Sequence, residues 1–120
     1  MENRSKSILG IIHSPPFGSS VHEAIELLMV YAAYDFEVSI LLKDSAVLHL
    51  QQEKRPELLK LKDQSAILAA IELYDVKSLL VDKNAFEQYQ CKAADNFHFE
   101  LLNDAMIKDA LSSYSEVVNL

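Results

Sequence analysis

Cys91 is the only cysteine among the 120 residues of this sequence and its one candidate for thiol chemistry. A reactive cysteine needs a stabilised thiolate, which a helix N-terminus or a neighbouring cation provides. Cys91 lies between Gln90 and Lys92, at the predicted C-terminal end of a short helix, where the helix dipole disfavours an anion. The sequence therefore favours an ordinary thiol, and a single cysteine excludes an internal disulfide.

The stretch SPPFGSSVHEA, residues 14–24, follows an apolar run and precedes a helical pattern, as phosphate-binding turns do. Its candidate ligand-binding residues are Gly18, Ser19, Ser20 and His22. The stretch matches neither GxGxxG nor GxxxxGK[ST] and contains no lysine. Ser20 and Glu23 instead have the spacing of a capping box, which stabilises a helix start. An anion-binding or small-molecule-binding α/β module using residues 14–23 is the alternative to this structural interpretation.

No other pattern indicates catalysis. The four histidines are His13, His22, His49 and His98. Their spacing is not diagnostic of a metal site. No nucleophile elbow accompanies them. We therefore expect no metal and no cofactor, and Cys91 is the only candidate catalytic residue.

Composition narrows the class of protein. Half of the residues are hydrophobic and 24% are charged, which is typical of one compact domain, here residues 1–120. The net charge of −7 argues against direct nucleic-acid binding by this chain alone. No apolar run approaches the roughly 20 residues that cross a membrane, and the polar N-terminus does not resemble a signal peptide. We expect a cytoplasmic protein without membrane contact.

Strand-like and helix-like segments alternate along the chain. The predicted strands are residues 7–13, 37–43, 76–82, 96–102 and 115–120, of which 96–102 has the weakest pattern. The predicted helices are residues 21–35, 44–52, 64–75, 83–90 and 104–114. This alternation predicts an α/β three-layer sandwich with a mostly parallel four- or five-stranded sheet and helices on both faces.

Two segments carry more apolar residues than one buried face requires. Residues 27–34, LLMVYAAY, are apolar most of the way around the predicted helix, and DSAVLHL, residues 44–50, adds further apolar side chains. Exposed apolar patches mark interaction sites. We predict that one or both segments form a subunit interface, with complete burial in the chain's own fold as the alternative.

Four stretches in order resemble the TusC/DsrF branch of the DsrE-like sulfur-relay family. They are PPFGSS, YAAYDFEVSILLKDSAVLHL, AILAAIELYDVKSLLVD and SYSEVVNL. The first is similar to the PPYGS-type loop of that branch, DSAVLHL to its DGVYQL-like helix, and LYDV to its LYDI stretch. Asp44-Ser45 stands where the branch has Asp-Gly.

The resemblance implies a non-catalytic subunit of a sulfurtransferase complex. Its partners would be homologous TusD/DsrE-like and TusB/DsrH-like subunits, usually in a dimer of heterotrimers, and self-association is a further option. The complex would relay persulfide sulfur in tRNA wobble-uridine thiolation or in intracellular sulfur oxidation. The family's carrier cysteine follows the third strand of the TusD/DsrE-type partner, whereas this chain has Val81 and Asp82 there. A sulfurtransferase working through Cys91 is a third hypothesis.

Overall fold

The computed structural model describes residues 6–13, 20–50, 76–93 and 98–120. Within these ranges the strands are β1 (Ser7–Ile12), β2 (Glu37–Leu42), β3 (Ser78–Asp82), β4 (Glu100–Leu102) and β5 (Glu116–Asn119). The α-helices are α1 (Ser20–Ala33), α2 (Lys83–Gln88) and α3 (Asp104–Ser113), and a 3₁₀ helix covers Asp44–Leu50. The predicted helix at 64–75 lies outside the described residues.

The strands form one sheet in the order β4-β3-β2-β1-β5, and every neighbouring pair is parallel. The sheet confirms the predicted α/β class. Because β4 and β5 occupy opposite edges, the connection through α3 runs back across the sheet. A right-handed crossover then places α3 on the face opposite to α1.

The three inner strands, β1, β2 and β3, are buried along nearly their whole length because both faces of the sheet are covered there. On one face, Ile8 and Ile40 pack in a cluster with Leu28 of α1 and with the 3₁₀ helix. On the other face, Leu9 and its neighbours pack with Ile107 of α3. Successive side chains of a strand point to opposite faces of the sheet. The two clusters therefore form two core layers, one on each face.

Close packing fixes α1 against β1. A Cβ atom placed on Gly10 would lie 2.6 Å from a Cδ atom of Leu28, well inside van der Waals contact. Leu28 is itself fully buried. Glycine at position 10 therefore lets α1 approach β1.

Helix α1 ends at Ala33, two residues before the predicted end. Asp35 has a left-handed backbone with φ of 69°. The Asp35 N–H donates to the Ala32 carbonyl at 3.2 Å, and the Phe36 N–H donates to the Tyr31 carbonyl at 3.2 Å. This is the Schellman arrangement, which satisfies the last carbonyls and stops the helix.

Candidate functional site

The predicted ligand-binding loop falls largely outside the described part of the chain. Gly18 and Ser19 lie outside the described residues, and Ser20 and His22 are described only as backbone in the first turn of α1. That helix begins beyond the carboxyl end of β1, which is where open α/β sheets bind ligands. The capping box and the anion site both stay predictions.

A polar cluster, here called the His13 cluster, joins the carboxyl ends of three strands. His13 Nδ1 lies 2.9 Å from Asp44 Oδ2, and His13 Nε2 lies 3.3 Å from Asn119 Oδ1. The Ser45 hydroxyl donates to the His13 carbonyl at 3.2 Å. Asp44 also has a left-handed backbone with φ of 54°.

The His13 cluster is arranged for structure more than for catalysis. Each ring nitrogen of His13 already faces a protein oxygen, so a general base or metal ligand would have to break one of these contacts. The sequence pattern alone does not bring these residues together. The available signal was that His13, Asp44 and Asn119 each lie at or just beyond the end of a strand. Parallel strands bring such positions to one edge.

The end of β3 is the position at which the family resemblance would place a carrier cysteine in a partner. Here Asp82 occupies it with 7% of its surface exposed. Its Oδ1 accepts a hydrogen bond from the Asn84 N–H at 3.1 Å and caps α2. A carboxylate is favoured at a helix N-terminus. The site that would favour a thiolate therefore holds a capping carboxylate, which carries no sulfur.

Asn84 links this cap to the next helix. Its Nδ2 donates to Asp104 Oδ1 at 3.1 Å, at the start of α3. Asn103 caps α3, because its side chain accepts from the Met106 N–H at 2.9 Å. The side chains at the carboxyl ends of β3 and β4 thus cap the N-termini of α2 and α3.

Cys91 lies just beyond the C-terminal end of α2, as the sequence predicts. Gln90 is left-handed with φ of 50°, and the Cys91 N–H donates to the Phe86 carbonyl at 3.0 Å. The Cys91 side chain is buried, with 8% of the residue exposed. Its Sγ donates a hydrogen bond to the Val47 carbonyl at 3.5 Å. Burial and the negative end of the helix dipole both disfavour the charged thiolate.

Helix α1 has an exposed apolar line, here called the α1 stripe, on the side away from the sheet. It consists of Leu27, Val30 and Tyr34, exposed by 43%, 53% and 74%. Spacings of three and four residues place them on one side of the helix, with Tyr34 directly beyond its last turn. In contrast, Val47 and Leu50 of the 3₁₀ helix are fully buried. Of the two predicted interface segments, α1 alone therefore keeps a continuous apolar line exposed.

Within the four described ranges, no three His, Cys, Asp or Glu side chains lie close enough together to hold a metal ion. In the same ranges, no helix has the length and apolar character required to span a membrane.

Comparisons with known proteins show the family of the chain and, separately, the likeness of its fold to a solved structure. The sequence pattern that defines the DsrE/DsrF-like family matches residues 6–120. A Pseudomonas aeruginosa protein named TusC homolog is 29% identical over 118 residues, covering 97% of this chain and 99% of that protein. The crystal structure of the ychN protein from E. coli superimposes with a TM-score of 0.73 at 12% identity, covering 98% of this chain and 100% of that one. The last likeness concerns the fold alone, and it confirms the predicted α/β architecture.

Proposed function

Because the chain belongs to the DsrE/DsrF-like family, we propose that it is a non-catalytic subunit of a sulfur-relay complex. Its contribution is to shape the assembly and to position a persulfide cysteine carried by a partner chain. The partners are homologous TusD/DsrE-like and TusB/DsrH-like subunits. The complex works in the cytoplasm, in tRNA wobble-uridine thiolation or in intracellular sulfur oxidation.

The observation that carries this proposal is the identity and role of Asp82. A persulfide carrier at the end of β3 would need a thiol beside the start of α2, where the helix dipole favours a thiolate. In this chain the side chain at that place is a carboxylate bonded to the Asn84 N–H. The position therefore helps to fold the chain and offers no sulfur nucleophile.

The surroundings of Cys91 support the same conclusion. The thiol lies in the apolar cluster with Ala85 and Val47, near the Val47 carbonyl. Sulfur transfer requires that a thiolate attack a sulfur atom of the donor, so the carrier must meet that donor directly. A buried side chain facing the core does not offer this access without local opening.

The negative charge of the chain supports an indirect role towards any RNA acceptor. With a net charge of −7, this subunit repels a phosphate backbone. If the acceptor is a tRNA, its binding surface belongs to other subunits of the complex.

The proposal is tested by reconstituting the complex with Cys91→Ser in this chain. We expect normal assembly and a normal rate of persulfide transfer, because the variant removes a thiol that carries no sulfur. A serine in the partner's carrier position, with this chain unchanged, is the matched control and should abolish transfer. Intact assembly with complete loss of transfer in Cys91→Ser would contradict the proposal and favour Cys91 as the carrier.

A further inference from the structure

The α1 stripe lies on a helix that has no lysine or arginine, and its one histidine is His22 in the first turn. No lysine or arginine occurs between Lys6 and Lys43 in the sequence, a span that contains the whole of α1 and both of its ends. Glu23 and Glu26 are exposed on its N-terminal half, and Asp35 is exposed just beyond its C-terminal end. The apolar line is thus bordered by carboxylates at both ends.

Asp35 is placed where a carboxylate costs folding free energy. Its left-handed backbone, with φ of 69°, favours glycine or asparagine at this position of a Schellman turn. It also adds a negative charge beside the negative end of the helix dipole, where a cation would be favoured. The Asp35 carboxylate therefore opposes folding of the isolated chain. Contact with a cation on another chain would explain its presence at this position.

The same charges argue against a second copy of this chain as the occupant. Two α1 helices packed antiparallel through the stripe would bring Asp35 of one towards Glu23 and Glu26 of the other. Packed parallel, they would bring Asp35 towards Asp35. Either arrangement sets carboxylates against carboxylates, and like charges in contact are unfavourable.

We propose that the α1 stripe docks a different protein chain with an apolar surface that carries lysine or arginine at both ends. One cation meets the Asp35 carboxylate, and another meets Glu23 or Glu26. The rise of 1.5 Å per residue sets these cations about 13–18 Å apart. The inference rests on the proposed function, since it identifies the occupant as another subunit of the complex.

Asp35→Asn separates a docking role from a structural one. Asparagine tolerates the left-handed backbone and carries no charge, so thermal unfolding should shift upward by about 1–4 °C. Binding to the purified partner subunits, measured by titration calorimetry, should weaken about tenfold. The affinity of the wild-type chain should also fall with added salt, and that of Asp35→Asn should fall less.

Val30→Asp tests the apolar part of the surface. A charge at the centre of a buried contact should weaken binding on the order of 100-fold or more, with little change in unfolding. Matched controls on α3 are Asp109→Asn for the charge and Met106→Asp for the apolar side chain, since Met106 is exposed by 49% and Val30 by 53%. Both controls should bind as the wild type does.

The outcomes distinguish this inference from the proposed function. If the wild-type chain binds the partner subunits and both Asp35→Asn and Val30→Asp bind equally well, the α1 docking surface is wrong and the proposed function stands. If the wild-type chain does not bind those subunits, both are overturned. Weakened binding by the α1 variants alone, with the expected rise in unfolding temperature for Asp35→Asn, supports the inference.

Discussion

The α1 stripe is exposed to solvent, whereas the thiol of Cys91 is buried. Val30, at the middle of the stripe, is 53% exposed, whereas Cys91 is 8% exposed and faces the Val47 carbonyl. An apolar surface is therefore available to another protein, and the only thiol is not. The difference supports the proposal that this chain contributes contacts and that a partner chain carries the sulfur.

The largest effect should come from comparing adjacent leucines on α1. Leu28 is fully buried and Leu27 is 43% exposed. Leu28→Ala should lower the free energy of unfolding by about 3–5 kcal/mol, because it empties a packed site between α1 and β1. Leu27→Ala should lower it by under about 1 kcal/mol and weaken assembly instead.

Urea denaturation of the two variants gives the unfolding free energies, and partner binding gives the second readout. Equal losses of stability for Leu27→Ala and Leu28→Ala would show that the two sides of α1 are buried alike. The separation of an inner and an outer side of the helix would then be wrong.

Thiol labelling should show a smaller effect, which compares Cys91 directly with a position in the α1 stripe. Native Cys91 should react with a thiol reagent on the order of 100-fold more slowly than in the unfolded chain, because labelling requires local opening. In a Cys91→Ser background, Val30→Cys should react nearly as fast as an unfolded thiol.

The Cys91→Ser background serves as the blank for that experiment, and its folding is checked by circular dichroism. The hydroxyl is expected to cost about 1–2 kcal/mol through burial of a polar group, which leaves a folded protein. Native Cys91 reacting as fast as Val30→Cys would remove the contrast between the buried thiol and the exposed stripe.

The sequence predicts the five strands because each has apolar residues between turn residues, most clearly in β1, β2 and β3. Even the weakest of them, predicted at 96–102, is present as β4 (Glu100–Leu102). It is short because it is an edge strand with β3 as its one strand neighbour in the described sheet. A local apolar pattern is enough to predict that such a strand exists, whereas its length depends on the strand with which it pairs.

The His13 cluster and the end of α1 were not predictable in the same way. His13 meets Asn119, more than 100 residues away, only because β5 lies beside β1, and local periodicity does not give that strand order. Asp35 lies in a left-handed turn beyond the end of α1, and the helical pattern of residues 21–35 does not indicate that turn, so it predicts a helix that runs through Asp35. Both features depend on tertiary context.

The most direct test of a chain that positions sulfur without carrying it is to find which subunit holds the sulfur. The reconstituted wild-type complex is loaded by a persulfide donor, and the intact mass of each subunit is measured before and after cyanide treatment. We predict that a cyanide-sensitive increment of one sulfur atom appears on a partner chain and that none appears on this one. A cyanide-sensitive increment on this chain, mapped to Cys91, would contradict the account.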